Sequence, residues 1–478
     1  MQNSLFISSS KYIKRIGALL LLVITVALAF HQFARVTGKY QDPVLYDFYD
    51  LKRNSVDVLF VGSSHVYCSI NPVQLFEDKG IAGFNLAGGS QPVWFSYHYI
   101  KEALKTQSPK VIVLDVYTVR VNDDAYFDSR NAQMNLLHMK PSYNKWQALQ
   151  LAEVDSRIDV FFGFPITHSR YLSLQKVDFD EESTMFLGYH YQPRIVAYEP
   201  EKVKDVRQVQ ETEAVTPKTE EYLRKCIELC REKGIDLVLT NSPWPDITLD
   251  LQKRYNYIQE IADEYGIPFL NGCLYNEEIG MDYTVDSMGD GGHLNYTGAT
   301  KYTRWLGDYL KQNYELPDRR GSKGYEAWEH QSRRLAAILR RDEWKKLEDM
   351  GEYLERLASS EELYYVISLN GDFQKEGSSV LDALAGRGFD TEKNGLYVMN
   401  AEETLFYSEG AEEYTWWKYF GDSVLHVQSR EGVQEIFWDG DKFSKIKNGV
   451  HIWVYDSTLH EVVRKLSFDA DKNYEKAE

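Results

Sequence analysis

The chain has 478 residues, 43% of them hydrophobic and 26% charged, which is enough to bury a sizeable core and long enough for two or three domains. A formal net charge of −18 excludes the basic footprint that nucleic acid requires, so no nucleic-acid partner is expected. It also argues against a broad surface held to anionic lipid by charge.

In chain order, the first feature is an apolar run from Ile16 to Phe30 behind Lys11, Lys14 and Arg15. The strict run is short for a membrane span of roughly 17–25 residues, but extension through Phe33, Ala34 and Val36 reaches that length. A signal anchor over residues 1–40 is expected, with a cleaved signal at Ala27-Leu28-Ala29 and a buried core helix as alternatives. Both membrane readings put the remaining chain outside the cytoplasmic membrane, and the basic flank predicts an N-inside, single-pass orientation.

From about Gln41 to Tyr314 strands alternate with helices. Val58–Val61 is a continuous apolar run, as a strand buried on both faces should be. Gly83–Ala87, Val111–Leu114, Asp236–Thr240 and Pro268–Asn271 are further strands. Trp94–Lys105, Lys218–Lys233, Leu251–Tyr265 and Asn295–Gln312 have helical period. This alternation implies an α/β fold with a three-layer parallel sheet. Chemistry in such sheets gathers beyond the carboxyl ends of the strands. Ser64, the Gly88-Gly89 turn and Asp115 all fall at such ends.

Ser64 stands on a tight strand-to-helix turn, Gly62-Ser63-Ser64-His65. Serine is a poor nucleophile alone and needs an imidazole to take its proton and a carboxylate to fix the imidazole tautomer. His65 is adjacent in sequence, so its side chain should diverge from Ser64. Asn85 to Gln91 places glycines where a backbone N–H can face an oxyanion; a plain βα turn is the simpler alternative. Asp115 and Tyr117 either line the pocket or cap the next turn.

Residues 118–215 break the alternation and read as an aromatic, polar insertion that covers the site or shapes a groove. Cys68, Cys226, Cys230 and Cys273 show no metal spacing and read as unpaired thiols, with a lone disulfide involving Cys68 or Cys273 as the alternative. No cofactor and no metal are expected. Asp290-Gly291-Gly292-His293 can bring a carboxylate against an imidazole; Asp282 and Asp286 compete as the orienting acid, and Asn295 is a helix cap in the simpler reading.

Residues 320–361 are charged and helical and read as a linker. Residues 362–478 form a separate β-rich domain, with strands at Leu363–Leu369, Gly395–Met399, Ser423–Gln428 and Val450–Tyr455. Trp416, Trp417 and Tyr419 could stack on sugars, although buried aromatics are the simpler reading.

The blocks Val61-Gly62-Ser63-Ser64, Asn85 to Gln91 and Asp290-Gly291-Gly292-His293 together resemble the SGNH (GDSL-like) hydrolase superfamily over roughly residues 50–315. The resemblance implies an SGNH/flavodoxin-like catalytic domain over 41–319, with Ser64 as nucleophile, His293 as base and Asp290 as orienting acid. It also implies Ser64 and Gly89 backbone N–H groups in the oxyanion hole. Two departures stand out: Ser63 replaces the usual Asp, and the Gly-x-Asn-Asp block is absent where the chain reads Asp115-Val116-Tyr117. The anchor makes the chain similar to the membrane-bound DltD and AlgJ/AlgX-like groups. That likeness implies an extracytoplasmic esterase or O-acyltransferase acting on a cell-envelope glycan or teichoic-acid-like polymer. The implied partners are that polysaccharide or an acyl donor, and a multi-span membrane O-acyltransferase. The loss of the Asn donor supports the alternative of a catalytically inactive wall-binding or scaffold protein. The C-terminal segments Tyr364 to Asp372, Asn448 to Asp456 and Leu466 to Asp469 resemble the interleukin-like EMT-inducer (ILEI-like) domain, implying a β-sandwich with a glycan-binding role; a plain structural module is the alternative.

Overall fold

A computed structural model describes residues 2–38, 44–175, 178–179, 185–347, 349–370, 378–409, 412–421, 423–430, 433–442, 448–470 and 475–477. The chain divides into two units, 1–331 and 332–478.

The first unit opens with helix α1 (Gln2–Gly38), whose stretch Tyr12–Gly38 is long and apolar enough to cross a bilayer. Helix α2 (Val44–Asp50) follows. Strands β1 (Val58–Gly62), β2 (Gly83–Ala87), β3 (Val111–Asp115), β4 (Asp236–Asn241) and β5 (Phe269–Asn271) then build one parallel sheet in the order β2-β1-β3-β4-β5. All five expected strands are present, each within a residue or two of the boundaries read from sequence. Their apolar character is what lets both faces be covered.

Helices cover both faces. Val58, Phe60, Val111, Val113 and Val238 face a core shared with Leu75 of α4 (Pro72–Lys79) and with Leu306 and Leu310 of a helix near the unit's end. The alternate side chains of each strand point the other way, where α5 (Val93–Ala103) packs against β1. Between α3 (Ser64–Ser69) and α4, Asn71 caps the second helix by accepting from Val73 and Gln74 N–H, with Pro72 at its first position.

The 118–215 insertion is more regular than its composition suggests. It contains α6 (Ser129–Leu136), α7 (Tyr143–Gln150), α8 (Arg157–Phe162), α9 (Phe164–Thr167) and a 3-10 turn, His168–Leu172. Asp128, Ser142 and Ser156 each cap the helix that follows them, so short polar caps drive helices that lack a strong apolar period. Helices α10 (Pro217–Lys233) and α11 (Leu249–Tyr265) carry Thr N-caps and end on glycines in the left-handed region, Gly234 and Gly266. Then come α12 (Asn276–Ile279) and α13 (Tyr296–Asn313), the helix that supplies Leu306 and Leu310.

The segment read as a helical linker, residues 320–361, is built of two helices. Helix α14 (Glu326–Trp344) begins in the first unit, where Trp328 Nε1 donates to the Gly83 carbonyl at 2.9 Å. Its end, Trp344, and helix α15 (Met350–Ala358) belong to the core of the second unit. Apolar residues at helical spacing let these helices contribute to that core.

In the second unit, strands β6 (Leu363–Asn370), β7 (Gly395–Met399), β8 (Thr404–Glu409), β13 (Gly449–Asp456), β14 (Glu461–Asp469) and β15 (Glu475–Ala477) form an antiparallel six-stranded sheet. Strands β9 (Tyr414–Phe420), β10 (Ser423–Arg430), β11 (Val433–Trp438) and β12 (Asp441–Lys442) form an antiparallel four-stranded sheet. One face of the larger sheet packs on the smaller through Val366, Val398, Trp453, Leu425, Val427 and Ile436. Its other face is covered by α15 and by α16 (Ser379–Gly386). The β11–β12 turn uses Asp439 and Gly440, both at positive φ (49° and 89°), as a two-residue hairpin requires. Of the three β9 aromatics considered for sugar stacking, Trp416 stacks on Phe406, whereas Trp417 and Tyr419 are exposed. Gly371 and Asp372, part of the ILEI-like resemblance, lie outside the described residues.

Candidate active site

The end of β1 is drawn tight against β3. A Cβ on Gly62 would meet the Asp115 Cβ at 2.6 Å, so only glycine admits the approach. Ser63, at the N-cap of α3, donates its hydroxyl to Asp115 Oδ2 at 3.1 Å while Ser63 Oγ accepts from the His65 N–H. Burial pushes the Asp115 carboxyl up to about 7, against donation from the Ser63 hydroxyl and from the Ser63 and Tyr117 N–H groups. Ser64 is thereby held at the first position of α3, where a backbone N–H has no intrahelical acceptor.

The other half arrives 229 positions later. The loop before α13 is pinned by Asn295, which caps the helix through Thr297 and Gly298 N–H and donates to the Val285 and Ser287 carbonyls. Asn295 is therefore a cap, and the loop it anchors carries Asp290 and His293. Asp290 Oδ1 accepts from Gly292 and His293 N–H at 3.0 and 2.9 Å. Asp290 Oδ2 lies 2.6 Å from His293 Nδ1, and His293 Nε2 lies 2.8 Å from Ser64 Oγ.

Burial raises the Asp290 carboxyl, but hydrogen bonds from the His293 ring and from the His293 and Gly292 N–H groups outweigh it and hold the group well below the usual carboxylate range. An ionised Asp290 can only accept, so the proton between them sits on His293 Nδ1. Nε2 is then the acceptor for the Ser64 hydroxyl. The arrangement can move a proton from serine to imidazole while a carboxylate stabilises the charge that forms.

Asp282 and Asp286 do not compete for His293. Asp286 is fully buried, ion-paired with Lys301 at 2.6 Å and accepting from the Asp282 N–H; Asp282 accepts from Thr284. His65 does not bond Ser64. Its ring stacks on Tyr117 with centroids 3.2 Å apart and stands 5.1 Å from the His293 ring. Burial, then the nearby His293 and Arg120, lower its pKa well below the ordinary histidine value.

The glycine loop lies beside Ser64, since β2 pairs with β1 and the Gly88 N–H donates to the Gly62 carbonyl. Among the described residues no acceptor takes the Gly89 N–H. The insertion holds this loop, a feature that sequence reading missed. Asn131 and Asn135 of α6 donate to the Gly89 and Ser90 carbonyls at 2.8–3.3 Å, and Met134 packs on Gly89. Their i, i+4 spacing on one helical face was the available signal. A cavity of about 260 Å³ adjoins the loop, lined by Gly88 and Gly89 with Leu45, Tyr67, Met134 and Met185 among others. The four cysteines are buried and none is disulfide-bonded, and among the described residues no cluster suited to a metal occurs.

No family model and no curated protein matches the chain. Among solved structures, part of it is similar to a GDSL-like lipase from Bacteroides thetaiotaomicron, at 12% identity over 56% of this chain and 96% of that one, with a TM-score of 0.30. It is similar to the acetylxylan esterase Axe2 from Geobacillus stearothermophilus at 12% identity over 55% and 96%, with a TM-score of 0.29. At such scores the site's chemistry rests on its own geometry.

Proposed function

We propose that the chain is an extracytoplasmic serine esterase or O-acyltransferase of the SGNH type, anchored by α1 and acting on a cell-envelope glycan or teichoic-acid-like polymer. The observation that carries the chemistry is the continuous hydrogen-bonded path from Ser64 Oγ through His293 to Asp290. Ser64 Oγ attacks the ester carbonyl as His293 Nε2 takes its proton, and Asp290 stabilises the imidazolium. The carbonyl oxygen becomes an oxyanion facing the Ser64 and Gly89 N–H groups. Collapse breaks the ester C–O bond, and His293 returns the proton to the departing alkoxide, leaving an acyl-serine. Water or a sugar hydroxyl, deprotonated by the same imidazole, then takes the acyl group. An acyl chain fits the apolar cavity beside Gly89. A multi-span acyltransferase is the proposed source of acyl groups for the transfer route.

A second reading, a catalytically silent wall-binding scaffold, is favoured by Asp115 standing where a side-chain amide donor is expected. Fluorophosphonate labelling separates the two, because only an activated serine reacts readily. Labelling and acyl release from an activated ester are expected in the native chain, with release falling about 10⁴–10⁶-fold in Ser64→Ala. Undiminished release by Ser64→Ala rejects the assignment, and failure of the native chain to label favours the scaffold.

A further inference from the structure

Outside α1, the exposed large apolar side chains are most frequent in one stretch of the insertion. Tyr143, Trp146, Ile158, Phe162, Leu172 and Phe179 are all exposed, with Leu172 at 76% and Phe162 at 59%. Scattered exposed hydrophobics are ordinary, but a contiguous group marks an interaction surface. Ile158 and Phe162 share one face of α8 by their i, i+4 spacing.

The same stretch is fastened to the last turns of α1. Phe164 packs on Phe30 and Phe33, with centroids 4.7 and 6.0 Å away, and Tyr171 meets Phe33 at 6.5 Å. Arg170 donates to the Thr37 carbonyl at 3.0 Å, satisfying one of the carbonyls a helix end leaves open, and pairs with the buried Asp178 at 2.6 Å. At 1.5 Å per residue, a hydrocarbon core of about 30 Å takes up about 20 residues of α1 from Tyr12. Phe33 to Thr37 then fall at the headgroup level, and the fastened stretch falls with them.

We propose that the face formed by α8, α9 and the His168–Leu172 turn lies on the lipid bilayer, with Ile158, Phe162 and Leu172 entering the boundary between headgroups and acyl chains. This rests on the reading of α1 as a membrane anchor and goes beyond it, because an anchor alone leaves the rest of the unit free of the surface. Apolar insertion drives the contact, not charge: Glu153, Asp155 and Asp159 offset Arg157 and Arg170 along the stretch. The contact would hold the extracytoplasmic unit at a set height, a second attachment besides the span.

The test uses the full chain in phosphatidylcholine vesicles, with and without phosphatidylglycerol. Single cysteines replace Ile158, Phe162, Leu172, Leu21 in α1 and the exposed Leu249, and each carries a nitroxide label. The native cysteines are buried and stay unlabelled. All five positions are exposed, so the substitutions should leave the fold intact. Collision with oxygen is compared with collision with a water-soluble nickel chelate. Labels at 158, 162 and 172 are expected to favour oxygen severalfold over Leu249, equally in both lipid mixtures. Nickel access at the three positions equal to that at Leu249, with Leu21 in lipid, overturns the docked face and leaves the anchor standing. Nickel access at Leu21 as well overturns both. Preference for oxygen only with phosphatidylglycerol present replaces apolar insertion with electrostatic attraction and also overturns the proposal.

Discussion

Ser64, after β1, and Asp115, at the end of β3, show how polar groups at adjacent strand ends turn opposite ways. Ser64 reaches outward to His293, while Asp115 is turned inward onto Ser63. Because burial holds the Asp115 carboxyl up at about 7, the folded chain keeps a proton that the unfolded chain, titrating near 4, gives up. Its contribution to stability is therefore full below pH about 4 and is lost as the pH rises through about 7. Asp115→Asn mimics the protonated form and removes this dependence. Urea unfolding at pH 5 and pH 8 should show the native chain losing stability relative to the variant at the higher pH; an unchanged difference rejects the buried-acid account.

Helix α6 and the loop before α13 are the elements that aim the site. Asn135 makes no hydrogen bond to Ser64 and holds the Gly89 carbonyl. Asn135→Ala frees that loop, and misplacing the proposed oxyanion donor Gly89 by about 1 Å can cost about 10²-fold in rate. A fall in kcat of that order on an activated ester, with KM little changed, is the expected result; an unaltered kcat removes α6 from the chemistry. The α13 loop depends on Asp286, which is fully buried against Lys301. Lys301→Met leaves that carboxylate unpaired, which should cost about 3–5 kcal/mol of stability, seen as a lower urea midpoint. A midpoint within error of the native value would mean that Asp286 finds other compensation.

The whole molecule places its candidate chemistry in one unit and a second core elsewhere. Trp453 is buried between the two sheets of the β-rich unit, and Trp453→Ala should destabilise that unit by about 3–5 kcal/mol. Ester cleavage by Ser64 should persist in this variant at temperatures where the β-rich unit has lost its near-ultraviolet signal. Concerted loss of both would tie the activity to the second unit.

Much of this was legible locally. The strands from Val58 to Asn271 announce themselves as apolar runs, and Thr216-Pro217 and Gly234 bracket a helix by their own backbone preferences. Those signals act over a few residues, so one chain segment carries them whole. They also named Ser64, Asp290 and His293 by side-chain type. Whether an alcohol and an imidazole so distant in sequence stand 2.8 Å apart is another matter, set by the pairing order of five strands and the docking of α13. The grip of Asn131 and Asn135 on the glycine loop, the placing of α15 in a core, and the seating of Phe164 and Tyr171 on α1 are likewise outcomes of packing. Each depends on which distant surface covers a residue, and no short-range preference encodes that.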